Sequence, residues 1–313
     1  ALLFRPGGPL GRSRLLSLRL DAVEGNDKLT TSLEIANLDD QTDRGPLLLP
    51  EPLRGWSLGP VALCEEEVYT VPVPDKNKVD MKLHAAPMAA VSDRHWRMLI
   101  RCISPTIVVW TEMVWAHAIS GASSNECEKL IGFSPEEHPI VAQLGGCDPD
   151  LLARAAVICA RRGYDEVNLN CGCPAGDQGA VRSIYGARMM LQPQLTAECC
   201  LAMRSALDAA GFLNVPLSVK CRNGVDERDS FDELLSFVQG VSRAGVRHVI
   251  IHARKADLTL NAARNREVPP LRPEWGVRLC HAMPCLQVTL NGGIRSIDEA
   301  SSWCAKGAHG AMI

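Results

Sequence analysis

From Met81 onward the chain alternates between two kinds of segment, and that alternation restricts its fold more than any other feature. Short runs rich in apolar and β-branched residues, at 83–86, 107–113, 140–144, 166–170, 217–221, 248–252, 287–291 and 310–313, read as eight buried strands. Stretches of helical periodicity separate them, and several announce their ends. Asp148 and Pro149 supply an N-cap and a first-turn proline ahead of the helix over 151–162, and Gly163 supplies the stop. Ser230-Phe231-Asp232-Glu233 and Ser296-Ile297-Asp298-Glu299 each fit a capping box, with Gly245 and Gly307 ending the runs that follow. Strands that alternate with helices build parallel sheets, and a count of eight predicts closure into a (β/α)8 (TIM) barrel rather than an open doubly wound sheet.

Such a barrel needs roughly 250 residues. The 313 present leave 1–80 as an irregular N-terminal extension ahead of a barrel domain at 81–313. Arg5, Arg12, Arg14 and Arg19, with Ser13 and Ser17 and no acid before Asp21, have the composition of a transit peptide or of a plain basic tail. Prolines at 46, 50, 52, 60, 72 and 74 interrupt the rest of the extension, which is expected to be partly disordered, with a short strand or helical turn at 33–38 and an edge strand at 68–73. A net charge of −3, from 33 basic and 36 acidic side chains, excludes a positive field over the whole molecule, so any nucleic-acid site must be a local patch. Thirteen cysteines, odd in number and placed partly inside helices and strands, imply reduced thiols and an intracellular setting, in the cytoplasm or, if the basic start is a transit peptide, in a mitochondrion or plastid. Cys171 and Cys173 lack a second pair at zinc-ligand spacing, so no metal site is expected. No apolar run approaches the ~20 residues that cross a bilayer, and no membrane partner is expected.

In a barrel of this kind the C-terminal ends of the strands build the active site. There the sequence places Gln143, Lys220, His252 and Asn291, with Gly292 and Gly293 beside them and Cys173 on a Gly/Pro turn after the fourth strand. A single buried amide or histidine is ordinarily a satisfied structural residue, and a lone cysteine a small apolar one. Convergence on one rim is what packing does not require. A flavin suits the set: amides match its pyrimidine edge, a lysine stabilises the negative charge of its reduced form, and glycines let the backbone come close.

Ala86-Pro87-Met88, Thr111-Glu112-Met113-Val114, Gln143-Leu144-Gly145-Gly146, Asn168-Leu169-Asn170-Cys171-Gly172-Cys173-Pro174, Val219-Lys220-Cys221-Arg222, His252-Ala253-Arg254-Lys255 and Asn291-Gly292-Gly293 resemble, in order, the motifs of the tRNA-dihydrouridine synthases. The stretch Asn265-Arg266-Glu267-Val268-Pro269-Pro270-Leu271 is similar to the branch that modifies uridines 20 and 20a. The resemblance implies an FMN enzyme that reduces uridine to 5,6-dihydrouridine in the D-loop of tRNA at the expense of NADPH. It implies that Cys173 protonates C5 of a flipped-out uracil, a role open to an unperturbed thiol, which is mostly protonated at pH 7. Pro87, Met88, Gln143, Lys220, His252, Asn291, Gly292 and Gly293 would bind FMN. Asn170, Arg222, Arg254, Lys255, Arg264 and Arg266 would meet tRNA, the last four as a local basic cluster. Cys171 matches no functional position, and a monomer is the expected state.

The chain departs from the family pattern in three places. The sequence stops at Ala311-Met312-Ile313, where relatives continue with a Gly-Arg pair, a last barrel helix and a helical tRNA-gripping domain; if Ile313 is the natural end, a barrel lacking its last helix, with weak flavin binding and lowered stability, is expected. Asp177 and Gln178 stand where basic and apolar residues are usual, and Asp257 and Ala263 replace an aromatic and a lysine. Two other functions fit the same residues: a flavin-barrel reductase of a small pyrimidine or enone, and a degenerate, non-catalytic tRNA-binding barrel.

Overall fold

Eight strands carry the apolar runs: β1 Lys82–His84, β2 Val109–Trp115, β3 Ile140–Gly145, β4 Glu166–Cys171, β5 Leu217–Arg222, β6 His248–His252, β7 Gln287–Asn291 and β8 Gly310–Met312. They belong to a computed structural model that describes residues 81–174 and 184–313. The extension assigned to 1–80, with its pieces at 33–38 and 68–73, and the positions Asp177 and Gln178 lie outside the described residues. Every strand pairs parallel with its neighbour in the order β1, β8, β7, β6, β5, β4, β3, β2. The ring closes between β1 and β2 through a parallel bridge of His84 and Val108, where Ala85 N–H donates to the Val108 carbonyl and Val108 N–H to that of Leu83, both at 2.9 Å. The result is the (β/α)8 barrel that the strand count predicts.

The helices between the strands are α1 Arg94–Ile103, α2 Ala116–Ser120, α3 Ser124–Ile131, α4 Pro149–Arg161, α5 Pro193–Ala209, α6 Phe231–Arg243, α7 Glu274–Ala282 and α8 Ile297–Ala305. Their caps follow the sequence signals. The Asp148 carboxylate accepts Leu151 N–H at 2.9 Å, and Gly163 turns the chain out of α4 at φ +94°. At α6 the capping box is complete: Ser230 Oγ accepts Glu233 N–H at 3.3 Å and Glu233 Oε2 accepts Ser230 N–H at 3.1 Å. At α8 it is half formed. Ser296 Oγ accepts Glu299 N–H at 3.1 Å, but the Glu299 carboxylate reaches one residue further back, to Arg295 N–H at 3.0 Å. A cap of this kind is worth about 1 kcal/mol. The strand β2 begins and ends two residues later than its apolar run suggests, and its register against β3 slips between Trp110 and Met113. Among the described residues no helix is long and apolar enough to cross a membrane.

Period-two alternation sorts each strand between two environments. Ala142, Leu144, Val167, Leu169, Val219, Val249, Ile251 and Val288 face the helices and pack with Leu152, Cys159, Met203, Leu207, Val238 and Val241 into the main core. A single truncation there, such as Leu169→Ala, is expected to cost about 2–5 kcal/mol. The inner face differs. It holds a small apolar cluster of Trp110, Val141, Ile250 and Met312, and around it buried polar side chains: His84, Gln143, Asn168, Ser218, His248 and Thr289. At the start of β4 and β6, His248 joins Glu166 (Nδ1 to Oε1, 3.1 Å) to Thr289 (Nε2 to Oγ1, 2.9 Å), while Trp110 Nε1 donates to His84 Nδ1 at 3.3 Å. Burial works against the Glu166 charge, but His248, Ser218 and His84 outweigh it and hold the carboxyl below its ordinary range. Polar groups inside the barrel fix one arrangement of its wall, since each must find its partner.

Candidate active site

The turn that carries Cys173 is built from the barrel interior outward. Asn168 Nδ2 donates to Ser218 Oγ (2.8 Å), Gln143 Nε2 to Asn168 Oδ1 (2.9 Å), and Asn170 Nδ2 to Gln143 Oε1 (2.9 Å). Asn170 Oδ1 is thereby left to accept Gly172 N–H and Cys173 N–H, each at 3.0 Å, an Asx-type turn that lifts the chain off the end of β4. Arg222 Nε grips the Gly172 carbonyl at 3.0 Å, and Ala187 N–H donates to the Cys173 carbonyl at 2.8 Å. The backbone at 172 and 173 is thus held from two strands, β4 and β5, and from Ala187 on the returning segment, while the Cys173 side chain stays half-buried. Cys171 points the other way, wholly buried among the helix-facing residues, where burial pushes its thiol well above the ordinary range.

Across the mouth, Lys220 Nζ donates to Asn291 Oδ1 at 3.0 Å, and Asn291 Nδ2 to the Met312 carbonyl at 3.0 Å. Burial, with the Arg222 charge adding to it, pushes the Lys220 amine down to about 8. Burial does more to His252: with Lys220, Arg222, Arg254 and Arg266 also opposing a positive ring, its pKa falls to about 2, so the imidazole is neutral. The backbone at Gly292 (φ +104°) lies directly against that ring, and a Cβ there would sit 3.0 Å from His252 Cδ2. At Gly293 a Cβ would sit 2.5 Å from Leu271 Cδ1. Pro87 and Met88 lie in the loop after β1, where Met88 exchanges hydrogen bonds with Ser92 Oγ (2.9 and 3.1 Å) and has no hydrogen bond to the Lys220 group. Gln143 is only 2 % exposed, and its amide is already committed to Asn168 and Asn170. Among the described residues no three His, Cys, Asp or Glu side chains assemble a metal-ligand set.

The basic residues divide into two groups. Arg254 Nη1 donates to the carbonyls of Pro269 and Glu267, and Lys255 Nζ to the Asp226 carbonyl (3.1 Å), with Asp229 Oδ2 at 3.6 Å. Both are therefore tied into loops. Arg264 and Arg266 are exposed on a short 3-10 turn, Arg264–Arg266, whose middle residue anchors it. Asn265 is fully buried; its Oδ1 accepts Asp257 N–H (2.8 Å), and its Nδ2 donates to the carbonyls of Asp257 (2.7 Å), Leu260 (2.9 Å) and Asn261 (3.2 Å). Arg222 Nη1 reaches the Asn265 carbonyl at 3.2 Å. Asn170 and Arg222, expected to face substrate, thus hold the Cys173 turn as well. Sequence reasoning collected Asn168 at the end of the fourth strand without giving it a role, and missed Asn265 and Ser218 as parts of the site.

The model of the dihydrouridine synthase family matches residues 84–313. A tRNA-dihydrouridine(20/20a) synthase of Xanthomonas axonopodis pv. citri is 44 % identical over 227 residues, which cover 72 % of this chain and 65 % of that protein. Proteins of the same description from Shewanella oneidensis and Escherichia coli are 40 % and 39 % identical over 73 % and 74 % of this chain, and again over 65 % of their own length. The chain therefore spans a little under two thirds of the curated relatives it matches. With the barrel, the Cys173 turn and the matched stretch taken together, this chain belongs to the dihydrouridine synthase family.

Proposed function

We propose that this chain reduces uridine to 5,6-dihydrouridine in the D-loop of tRNA, with FMN held in the barrel mouth, NADPH as the reductant and Cys173 as the proton donor. The observation that carries the reading is the placement of a half-buried thiol, on a turn clamped by Asn170, Arg222 and Ala187, at the same rim as the Lys220, Asn291 and His252 group. That group fits a flavin. It offers a cation, an amide and a neutral imidazole, the last packed directly against the Gly292 backbone. Lys220, Gln143, His252, Asn291, Gly292 and Gly293 would hold FMN, with Pro87 and Met88 from the loop after β1. When bound and reduced, FMN supplies a hydride to C6 of the uracil.

Cys173 gives its Sγ proton to C5 of the uracil. The sulfur is left as a thiolate, and Lys220 and Arg222, both within electrostatic reach of Cys173, stabilise its negative charge. Asn170 and Arg222 position the thiol through the turn they hold. Arg264 and Arg266 meet the RNA backbone, and Arg254 and Lys255 stiffen the loops that carry them. A target base has to leave its stack to enter the mouth.

The test is reconstitution with FMN, NADPH and a tRNA transcript. Cys173→Ala is expected to keep its flavin absorbance and to lose dihydrouridine formation at least 100-fold in single turnover. Full single-turnover activity in that variant would overturn the assignment of the acid. Efficient reduction of free uracil or an enone, indifferent to tRNA, would replace the tRNA reading with a small-molecule reductase.

A further inference from the structure

We infer that Arg222 is a positioning residue that joins the two halves of the site: through the Asn265 carbonyl it ties the Arg264–Arg266 turn to the Cys173 turn, so that RNA held by Arg264 and Arg266 sets the thiol in place. The inference rests on the reading that the chain acts on RNA, and it concerns how binding reaches the acid.

Arg222 stands at the end of β5, between a turn 50 residues before it and a turn 43 residues after it. Its guanidinium gives Nε to the Gly172 carbonyl at 3.0 Å and Nη1 to the Asn265 carbonyl at 3.2 Å, and the residue is 4 % exposed. No carboxylate pairs with it among the described residues. A buried cation without a counter-ion is an expensive way to link two loops that a neutral amide could also bridge. What the guanidinium adds is a rigid planar fork, able to fix two carbonyl oxygens at once in a set relation. Burial pushes its pKa down to about 10, in keeping with a cation retained for its geometry.

The far end of the strut is equally constrained. Asn265 uses four hydrogen bonds to knot 257–265 into one body, and its own carbonyl is what Arg222 holds. Arg264 and Arg266 project from either side of Asn265 and are exposed. Displacing this turn takes the carbonyl from Arg222 and leaves the guanidinium attached to Gly172 alone. Anchoring the turn on a phosphate backbone does the reverse. The link from Arg264 and Arg266 to the Cys173 N–H is a short run of covalent and hydrogen bonds, the kind of contiguous path that can carry coupling.

The test is a double-mutant cycle on the full chain, with saturating tRNA transcript and pre-reduced flavin, read as single-turnover rate. Arg222→Gln is expected to leave the tRNA dissociation constant within threefold and to lower the saturating rate at least tenfold. Arg264→Ala/Arg266→Ala is expected to weaken binding and also to lower the saturating rate, and in the Arg222→Gln background the two arginines should cost no further rate. Effects that multiply across the cycle would overturn the strut. Arg222→Lys, which reaches one carbonyl but keeps the charge, runs the same cycle if Arg222→Gln does not fold. A second arm needs no turnover: hydrogen exchange at the Gly172 and Cys173 amides should slow at least threefold when tRNA binds the wild-type chain, and should not respond in either Arg222 variant. An equal response in the variants would overturn the inference. A wild-type chain that binds tRNA without reducing it would refute the proposed reaction, and the exchange arm would then decide the strut alone.

Discussion

Replacing Gln143 by Met tests whether the polar interior, rather than the helical layer, holds the Cys173 turn. Gln143 is 2 % exposed; its Nε2 serves Asn168 Oδ1 and its Oε1 serves Asn170 Nδ2, each at 2.9 Å. Methionine fills nearly the same volume and offers neither partner. Two polar groups are orphaned, on residues that are 0 % and 9 % exposed. Each costs about 1–3 kcal/mol, so the loss is about 2–6 kcal/mol. The added apolar surface returns about 1 kcal/mol, leaving a net loss of about 1–5 kcal/mol. Urea unfolding followed by circular dichroism should show a lower midpoint with an unchanged slope. Adding Asn168→Leu removes one of the orphans, so the double variant should be more stable than the two single losses predict by about 1 kcal/mol. A loss below about 0.5 kcal/mol for Gln143→Met, or strict additivity in the pair, would refute the interlocked interior.

Other consequences are open to direct measurement. Burial and the His248 charge lower the His84 pKa to about 3, so between the unfolded value of 6.5 and that point only the unfolded chain takes up the proton. Stability should therefore rise with pH across this window and fall, by about 1.4 kcal/mol per unit, as pH drops through it. The difference between wild type and His84→Gln in urea midpoints at pH 7, 5 and 4 isolates the effect, and a pH-independent difference would contradict it. Arg97→Met leaves Glu137, which is 0 % exposed and paired with Arg97 Nε at 2.5 Å, as a buried carboxylate without its partner. That should cost about 3–5 kcal/mol, and Glu137→Leu in the same chain should restore part of it. Gly292→Ala puts an L-residue at φ +104° and a Cβ 3.0 Å from His252 Cδ2. It should cost about 1–3 kcal/mol and weaken FMN binding in fluorescence titration, whereas unchanged affinity would dismiss the close approach at Gly292.

The architecture was legible because period-two alternation and helix caps are local signals, and they placed β6 and β7 at their observed limits. Lys220, His252 and Asn291 were legible as a group for the same reason, since strand ends of equal parity face one mouth. What local pattern cannot encode is where a long side chain ends. Arg254 and Lys255 read as free cations, yet the loop after β5 runs alongside the loop after β6, through a bridge of Val225 and Ala256, and supplies the Asp226 carbonyl and Asp229 that engage Lys255. Arg254 turns instead to the carbonyls at 267 and 269. The register slip in β2 and the step back of Glu299 to Arg295 likewise depend on contacts that the neighbouring residues do not announce.

The amide ladder under Cys173 also has a direction. Asn170 donates to Gln143, Gln143 to Asn168, and Asn168 to Ser218, so each side chain presents its NH2 toward the last and its oxygen toward the first. No member can turn over alone without setting donor against donor. Ser218 ends the ladder as an acceptor, its Oγ taking the Asn168 amide hydrogen, and it is one of the groups that hold the Glu166 carboxyl below its ordinary range. Read downward, the two N–H groups of the turn at Cys173 demand an oxygen from Asn170, and that one choice fixes the sense of every amide below it as far as Ser218.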